Sequence, residues 1–386
     1  MRKILYIVPG NPFDVGSGNS QRSNLILKAL LKFFDVDLIC FTHDDIPEVL
    51  PEKCHVRFWG VALYRESILF RFLSMFRLNL NFIYCFPLAN KIISTVLLSN
   101  EYSVIFFRYM YFIGSFKLKP YYNKIVVDVD DLPEDVFKSK YINSGSVVRK
   151  IYYYWARLIV KSFTADLLPK LYCCFFSNNR QCCFSNSYFL PNIPFPRECF
   201  SLESNLNIQE DIILFVGSLG YFPNVLGLDY FITNVWSNIQ RVKPYVLLKI
   251  IGRGLPSVYE KKWKQYTHIE ILGYVDDLES QYMNCKVVIS PIYLGAGTNI
   301  KVLEAMYMKR PIVISKFANR GFESDFIDGV NVYIASNAEE YCAKVVNLLS
   351  SPNIRMKMAQ NAYDTILQKY SFQSFTDYLM KGLKQR

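Results

Sequence analysis

PIYLGAGTNIKVLEAMYMKRPIVIS, residues 291–315, reads as the end of a buried strand, a glycine-rich turn, a helix and the opening of another strand. Gly295, Ala296, Gly297, Thr298 and Asn299 make the turn, Lys301 and Glu304 lie on the helix, and Pro311 starts the next strand. Backbone amides at a helix N-terminus lack partners within the helix, and the helix dipole adds to their pull, so such a turn suits a phosphate. Lys301 can neutralise a second phosphate oxygen. Glu304, one turn further on the same face, can accept hydrogen bonds from a ribose diol. A capped helix with a solvated Lys and Glu is the other reading of these residues.

Outward from this stretch the same pattern repeats. DIILFVGSL (211–219), YVLLKIIGRG (245–254), HIEILGYV (268–275), KVVISPIY (286–293) and RPIVIS (310–315) are apolar strands with helical stretches between most of them. Continuous apolar runs of this kind are strands covered on both faces, which is the habit of a parallel sheet. The N-terminal part shows it too. ILYIVP (4–9) is followed by a loop, DVGSGNSQ (14–21), a helix with Leu27, Leu30, Leu31 and Phe34 at helical spacing, and the strand DVDLICF (35–41). YSVIFF (102–107) and KIVVDV (124–129) are further buried strands, ending near polar residues where α/β proteins place their ligands. Three prolines between residues 183 and 200 suggest a hinge, so the expected domains are residues 1–195 and 205–370. Residues 371–386 are expected to form a C-terminal helix that packs back on the first domain.

The 386 residues suit two domains, and with 51% hydrophobic and 20% charged residues the chain is too apolar to be disordered. The longest uncharged run, 212–228, is broken by Gly217, Gly220, Pro223, Asn224 and Gly227 and cannot span a membrane. The apolar start is too short for a signal-peptide core, so a cytoplasmic protein is expected, with its ten cysteines reduced. The net charge of +11 is mainly N-terminal, since residues 1–200 hold 24 basic and 16 acidic side chains. Two basic-aromatic stretches account for much of it. Residues 146–163 carry Arg149, Lys150, Arg157 and Lys161 beside Ile151, Trp155 and Leu158, and residues 65–82 carry Arg65, Arg71 and Arg77. Such stretches suit an anionic membrane surface, and equally suit ordinary core helices with solvated charges.

Residues 295–306, GAGTNIKVLEAM, resemble the nucleotide-sugar signature of the retaining GT-B enzymes called glycosyltransferase family four, in the subset with GAGT-x-x-K-x-x-EAM. FVGSLGYFPN (215–224), IIGRG (250–254), ILGYVDD (271–277), the N-terminal SGNSQRSNLILKAL, VVDVDDLPEDVF and LPNIP resemble further family segments in order and spacing. The resemblance implies a GT-B fold, two Rossmann-like doubly wound α/β domains facing across a cleft. It implies a hexosyltransferase-type enzyme moving a sugar from a nucleotide-diphosphate donor, with retention, to a glycan or lipid-linked acceptor in bacterial surface polysaccharide assembly, whether lipopolysaccharide O-antigen or capsule. The basic-aromatic stretches, read as membrane-facing, would place the protein peripherally on the inner face of the plasma membrane.

By the same resemblance Glu304 holds the donor ribose, Lys301 and the amides near Gly297 and Thr298 hold its diphosphate, and Tyr274 lies by the base. Gly16, Ser17 and Gly18 approach the phosphate, with Gly217, Ser218 and Arg253 at the phosphate-side turns. Two departures stand out. Ala296 replaces an acidic residue common in the wider family, and Ser218 and Pro223 replace an Arg and a Lys. A family His-Asp pair aligns with Asp130 and Asp131, without the histidine. Asp128, Asp130 and Asp131 at a strand end are either a site facing the cleft or helix caps and surface acids. No metal and no cofactor are implied. A nicotinamide oxidoreductase is disfavoured because residues 16–21 lack the third glycine of GxGxxG. A non-enzymatic membrane or nucleic-acid binding module would leave Lys301 and Glu304 without a purpose, and no nucleic-acid partner is expected.

Overall fold

A computed structural model describes residues 2–14, 18–62, 86–110, 113, 118–194, 208, 210–295 and 298–384. The chain forms two compact units, Met1–Pro191 with Phe375–Arg386, and Asn192–Ser374.

In the first unit β1 (Lys3–Pro9), α1 (Gly18–Leu31), β2 (Asp35–Phe41), β3 (Cys54–Gly60), α2 (Pro87–Ser99), β4 (Val104–Arg108), β5 (Ile125–Asp130), α3 (Pro133–Asn143), α4 (Val147–Leu167), β6 (Cys173–Phe176) and β7 (Ser187–Phe189) follow in turn. The strands make one parallel sheet in the order β3-β2-β1-β4-β5-β6-β7. Ile4 to Val8 are wholly buried, because helices cover both faces of a doubly wound sheet. The first helix starts at Gly18, inside the segment read from the sequence as a loop. Its early turns bury Arg22, Ser23 and Asn24. A helix that buries polar residues shows no apolar period there.

In the second unit come β8 (Ile212–Val216), α5 (Phe222–Phe231), α6 (Ser237–Val242), β9 (Leu247–Ile251), α7 (Ser257–Trp263), β10 (Ile269–Gly273), α8 (Leu278–Met283) and β11 (Val287–Ser290). They are followed by α9 (Ile300–Tyr307), β12 (Ile312–Ser315), β13 (Tyr333–Ala335), α10 (Ala338–Ser350) and α11 (Pro352–Lys369). This parallel sheet runs β10-β9-β8-β11-β12-β13. Helix α5 lies so close to the chain leaving β11 that a Cβ on Gly227 would meet the Pro291 carbonyl oxygen at 2.0 Å, which only glycine avoids.

The chain breaks at Tyr370 and Ser371 before α12 (Phe372–Leu383), which belongs to the first unit from Phe375 on. There Tyr172 donates to the Leu383 carbonyl at 3.2 Å and the Phe189 and Tyr378 rings meet edge to face at 5.6 Å. Both sheets are Rossmann-like and doubly wound, and each reverses its strand order once, between β1 and β4 and between β8 and β11. Ligands of such sheets bind beyond the carboxyl ends of the strands at that reversal.

Candidate functional site

In the second unit three turns meet at the β8/β11 reversal. The Gly217 amide donates to the Ile251 carbonyl at 3.0 Å, and the amides of Leu219 and Gly220 donate to that of Arg253 at 2.8 and 3.0 Å. A Cβ on Gly252 would lie 1.9 Å from the Gly217 carbonyl oxygen, so the β8 and β9 turns can pack together only with glycine there. Arg253 stacks over the Tyr274 ring at 3.8 Å, and Tyr274 is exposed, which leaves a broad planar surface at the edge of the site. Gly295 accepts from Arg320 at 3.1 Å. The Thr298 hydroxyl accepts from Asn192 at 2.7 Å. Asn299 precedes α9 but spends its side-chain amide on the Ala318 carbonyl at 3.1 Å and makes no side-chain cap, while the Ile300 and Val302 amides donate to the Thr298 and Asn299 carbonyls at 3.1 and 2.9 Å, so what the first turn of α9 offers an anion is the helix dipole.

Lys301, in that first turn, donates to Asn224 Oδ1 at 2.5 Å, and its ammonium lies 5.4 Å from the Phe215 ring centre. Burial pushes its pKa down to about 8, against the attraction of Glu304 one turn along the helix. Glu304 is half-buried on the same helix. Thus Gly217, Ser218, Arg253, Tyr274, Gly295, Thr298, Asn299 and Lys301 belong to turns or a helix start at the carboxyl edge of one sheet, with Glu304 one turn further along α9. Gly16, Ser17, Ala296 and Gly297 lie outside the described residues. Gly18 is the first residue of α1, in the other unit.

In the first unit the acidic cluster is held by two buried arginines. Asp128 is fully buried and receives Arg22 through two bonds, Nε to Oδ2 at 2.9 Å and Nη2 to Oδ1 at 2.7 Å. Arg108, itself fully buried, lies 2.9 Å from Asp128 Oδ2 with Nη1 and donates to Asp130 Oδ2 at 2.9 Å with Nη2. None of these acids caps α3, which begins at Pro133 after Leu132 without a side-chain cap, and Asp128 is no surface group. A bulge between Asp128 and Asp130 and a left-handed backbone at Asp130, φ 62°, turn the Asp130 carboxylate toward Arg108. Burial opposes ionisation of Asp130, but Arg22 and Arg108 outweigh it and hold its pKa down to about 2. Asp130 is therefore a fixed anion at neutral pH, able to accept a hydroxyl hydrogen bond and unable to act as a general acid. Asp131 accepts weakly from Ser177 at 3.4 Å. Beside them a cavity of about 340 Å³ is lined by Tyr109, Met110, Asp130, Asp131, Phe137 and Lys140, among others.

Helix α4 presents Val147, Val148, Ile151, Tyr154, Trp155 and Leu158 to solvent along one stripe, while Ala156, Ile159 and Val160 pack with Phe137 on the other side. Arg149 and Lys161 are exposed, and Lys150 and Arg157 half-buried. The second basic stretch, with Arg65, Arg71 and Arg77, lies outside the described residues. Among the described residues no helix is long and apolar enough to cross a membrane.

Asn224, Arg22 and Arg108 are the residues that sequence reasoning passed over. Each stood inside or beside a quoted motif, in FVGSLGYFPN, SGNSQRSN and at the end of YSVIFF, but the pairing partner that gives each its role lies far away in the chain.

Residues 210–351 match the family described as Glycosyl transferases group 1. The whole chain is 24% identical over 388 residues to the "uncharacterized 44.6 kDa protein in cps region" of Klebsiella pneumoniae, covering 96% of this chain and 97% of that one. Among solved structures it is similar to the sucrose-phosphate synthase of Thermosynechococcus elongatus, with a TM-score of 0.70 at 15% identity over 100% of this chain and 99% of that one. WaaG, a glycosyltransferase involved in lipopolysaccharide biosynthesis, gives a TM-score of 0.66 at 13% identity over 99% and 100%. HepE of Anabaena, solved with UDP and glucose, gives 0.63 at 14% identity over 100% of both chains. The fold shared with these structures is GT-B.

Proposed function

We propose that this chain, which carries a group 1 glycosyltransferase domain at residues 210–351 on a GT-B fold, moves a hexose from a nucleoside-diphosphate donor to a glycan or lipid-linked acceptor with retention at the anomeric carbon. Assembly of a bacterial capsule or lipopolysaccharide is the setting, in keeping with a relative from a cps region and the likeness to WaaG. The observation that carries this reading is the pair Lys301 and Glu304, one turn apart at the start of α9, where the β8 and β9 turns meet it. Glu304 takes the ribose hydroxyls, Lys301 and the amides near Gly297 and Thr298 take the diphosphate, and Tyr274 with Arg253 flanks the base. The scheme uses no metal and no cofactor beyond the donor itself. In the first unit the cavity beside Asp130 takes the acceptor, with the Asp130 anion accepting a sugar hydroxyl and Asp131 nearby for a second.

Glu304→Ala is expected to weaken nucleotide binding by about 1.5–3 kcal/mol, the worth of a charge-assisted hydrogen bond, or roughly tenfold to a hundredfold in affinity. The fold should survive, because Glu304 is only half-buried. Calorimetric titration of UDP and GDP into wild type and variant measures this, and equal affinities would remove Glu304 from the donor site.

The exposed apolar stripe of α4, flanked by Arg149, Lys150, Arg157 and Lys161, supports a peripheral place on an anionic membrane, the cytoplasmic face of the plasma membrane in this scheme. A basic residue near such a surface contributes about 1 kcal/mol, and a reversed charge repels. Arg157→Glu with Lys161→Glu is therefore expected to release the protein from anionic vesicles in a sedimentation assay. Wild-type protein that shows no salt-sensitive binding to those vesicles would return α4 to a purely structural role.

A further inference from the structure

We infer that Asn224 is the positioning residue for the donor diphosphate: its side chain holds the Lys301 ammonium against the Gly217 turn through a neutral acceptor, which leaves the full positive charge for the incoming phosphate. The inference rests on the reading of Lys301 as the diphosphate cation.

Asn224 is buried, 4% exposed, in the first turn of α5. Both ends of its amide are engaged. Oδ1 accepts from Lys301 Nζ at 2.5 Å, and Nδ2 donates to the Ser218 carbonyl at 2.7 Å. Its backbone amide donates to the Tyr221 carbonyl at 3.0 Å, so the side chain is tied at its root as well. These two side-chain bonds fix the amide's orientation, since a flip would set NH₂ against NH₃⁺ and oxygen against the Ser218 carbonyl. The arrangement closes on one point in space. A Cβ built on Gly217 would meet Asn224 Nδ2 at 3.0 Å, Lys301 Cε at 3.2 Å and Lys301 Nζ at 3.4 Å. The turn after β8, the start of α5 and the start of α9 thus share this contact, and Asn224 is the group that bonds to the other two.

The choice of an amide matters chemically. A half-buried ammonium needs an acceptor, and a carboxylate would satisfy it best in isolation. A carboxylate would also neutralise it and repel the phosphate oxygens the site must receive. An amide oxygen supplies a dipole without a net charge. The charged group that acts on Lys301 from its own helix is Glu304, while β8 contributes the Phe215 ring and α5 contributes Asn224.

The test compares Asn224→Asp, Asn224→Ala and Lys301→Met in the full chain, titrated with UDP and GDP from pH 6 to 10, with thermal melts to verify folding. In the wild type, affinity is expected to fall as the pH rises through about 8, where burial sets the loss of the Lys301 proton. Asn224→Asp is expected to cost about tenfold or more in affinity at neutral pH and to move that fall to higher pH, because the new carboxylate raises the Lys301 pKa. Asn224→Ala, although it removes more of the side chain, is expected to cost less than Asn224→Asp. In a Lys301→Met background both Asn224 changes should lose most of their effect. Should Asn224→Asp melt like an unfolded chain, Asn224→Ala and its combination with Lys301→Met still decide the matter through that loss of additivity. A purely structural Asn224 predicts the opposite order, with Ala at least as harmful as Asp, an unmoved pH profile and full additivity, and any of these overturns the inference. If the wild type and Lys301→Met bind both nucleotides equally, the assignment of Lys301 falls with it. If Lys301→Met alone loses affinity while the Asn224 variants bind as wild type, only the inference about Asn224 falls.

Discussion

Turnover of Lys301→Met is expected to fall roughly a hundredfold or more, the usual cost of removing one preorganised stabiliser of developing charge, while donor affinity falls by less. In a transfer with retention the bond from sugar to diphosphate weakens before an acceptor oxygen replaces it, so negative charge grows on the leaving phosphate in the transition state. In the proposed scheme that charge arises beside Lys301, which lies in the first turn of α9 and donates to Asn224. With its pKa near 8, it is mostly protonated at neutral pH, and its partly desolvated setting strengthens its interaction with an anion. Methionine keeps the length and most of the apolar stem, so the loss isolates the charge. The difference between turnover and affinity follows from the charge being larger in the transition state than in the bound donor. Steady-state kinetics with the natural donor measure both, and near-normal turnover would take the leaving-group role away from Lys301.

The second large effect concerns stability. Arg22→Met should destabilise the first unit by about 3–5 kcal/mol, the cost of breaking a buried ion pair by removing one partner. Arg22 is 2% exposed, and besides Asp128 it serves the carbonyls of Leu190 at 3.0 Å and Pro191 at 3.1 Å. Methionine fills much of the volume but leaves Asp128 with Arg108 alone and those two carbonyls without their donor. For a unit of this size each kcal/mol lowers the melting midpoint by roughly 2–4 °C, so a drop of roughly 6–20 °C is expected at neutral pH. The deficit should shrink in acid. Asp130 titrates at about 2 in the folded chain, below the ordinary carboxylate value of about 3.9, so its stabilisation is complete above about pH 4 and disappears as the pH falls toward 2. Part of that stabilisation comes from Arg22, 3.8 Å away, and the variant has less of it to lose. Thermal unfolding at a series of pH values checks both statements. A melting midpoint unchanged at neutral pH would mean that the two arginines are redundant.

Much of this protein is written in local patterns. Apolar runs such as ILYIVP and KVVIS could be only strands covered on both faces, and the glycine turn with Lys301 and Glu304 after it could be read as a phosphate site because strand, turn and helix follow one another directly in the chain. The doubly wound fold was legible for that reason, and the residues proposed for the donor could be named from the same local pattern. Strands β3, β6, β7 and β13 were not legible. β3, β7 and β13 lie at the edge of a sheet, where one side faces other surroundings, and Cys173–Phe176, Ser187–Phe189 and Tyr333–Ala335 are too short to carry a period. The polar start of α1 was misread as loop because its buried residues are Arg22, Ser23 and Asn24 rather than leucines.

What local pattern cannot hold is the identity of a charged group's partner. Asp128 in a list of three acids looks solvated, a cap, or catalytic. Only the crossing of α1 over β5, 106 residues apart in sequence, makes it the centre of a buried pair with Arg22. Asn224 likewise reads as a helix-start residue until the chain 77 positions on brings Lys301 to its oxygen. Hydrophobic burial acts on every residue by its own type, so sequence periodicity determines which segments become strands and helices and how the two sheets are layered. Electrostatic pairing acts between particular atoms at hydrogen-bond distance, so the ionisation of Asp130, the direction of Lys301 and the exposure of the α4 stripe were decided only when the tertiary structure set those elements side by side.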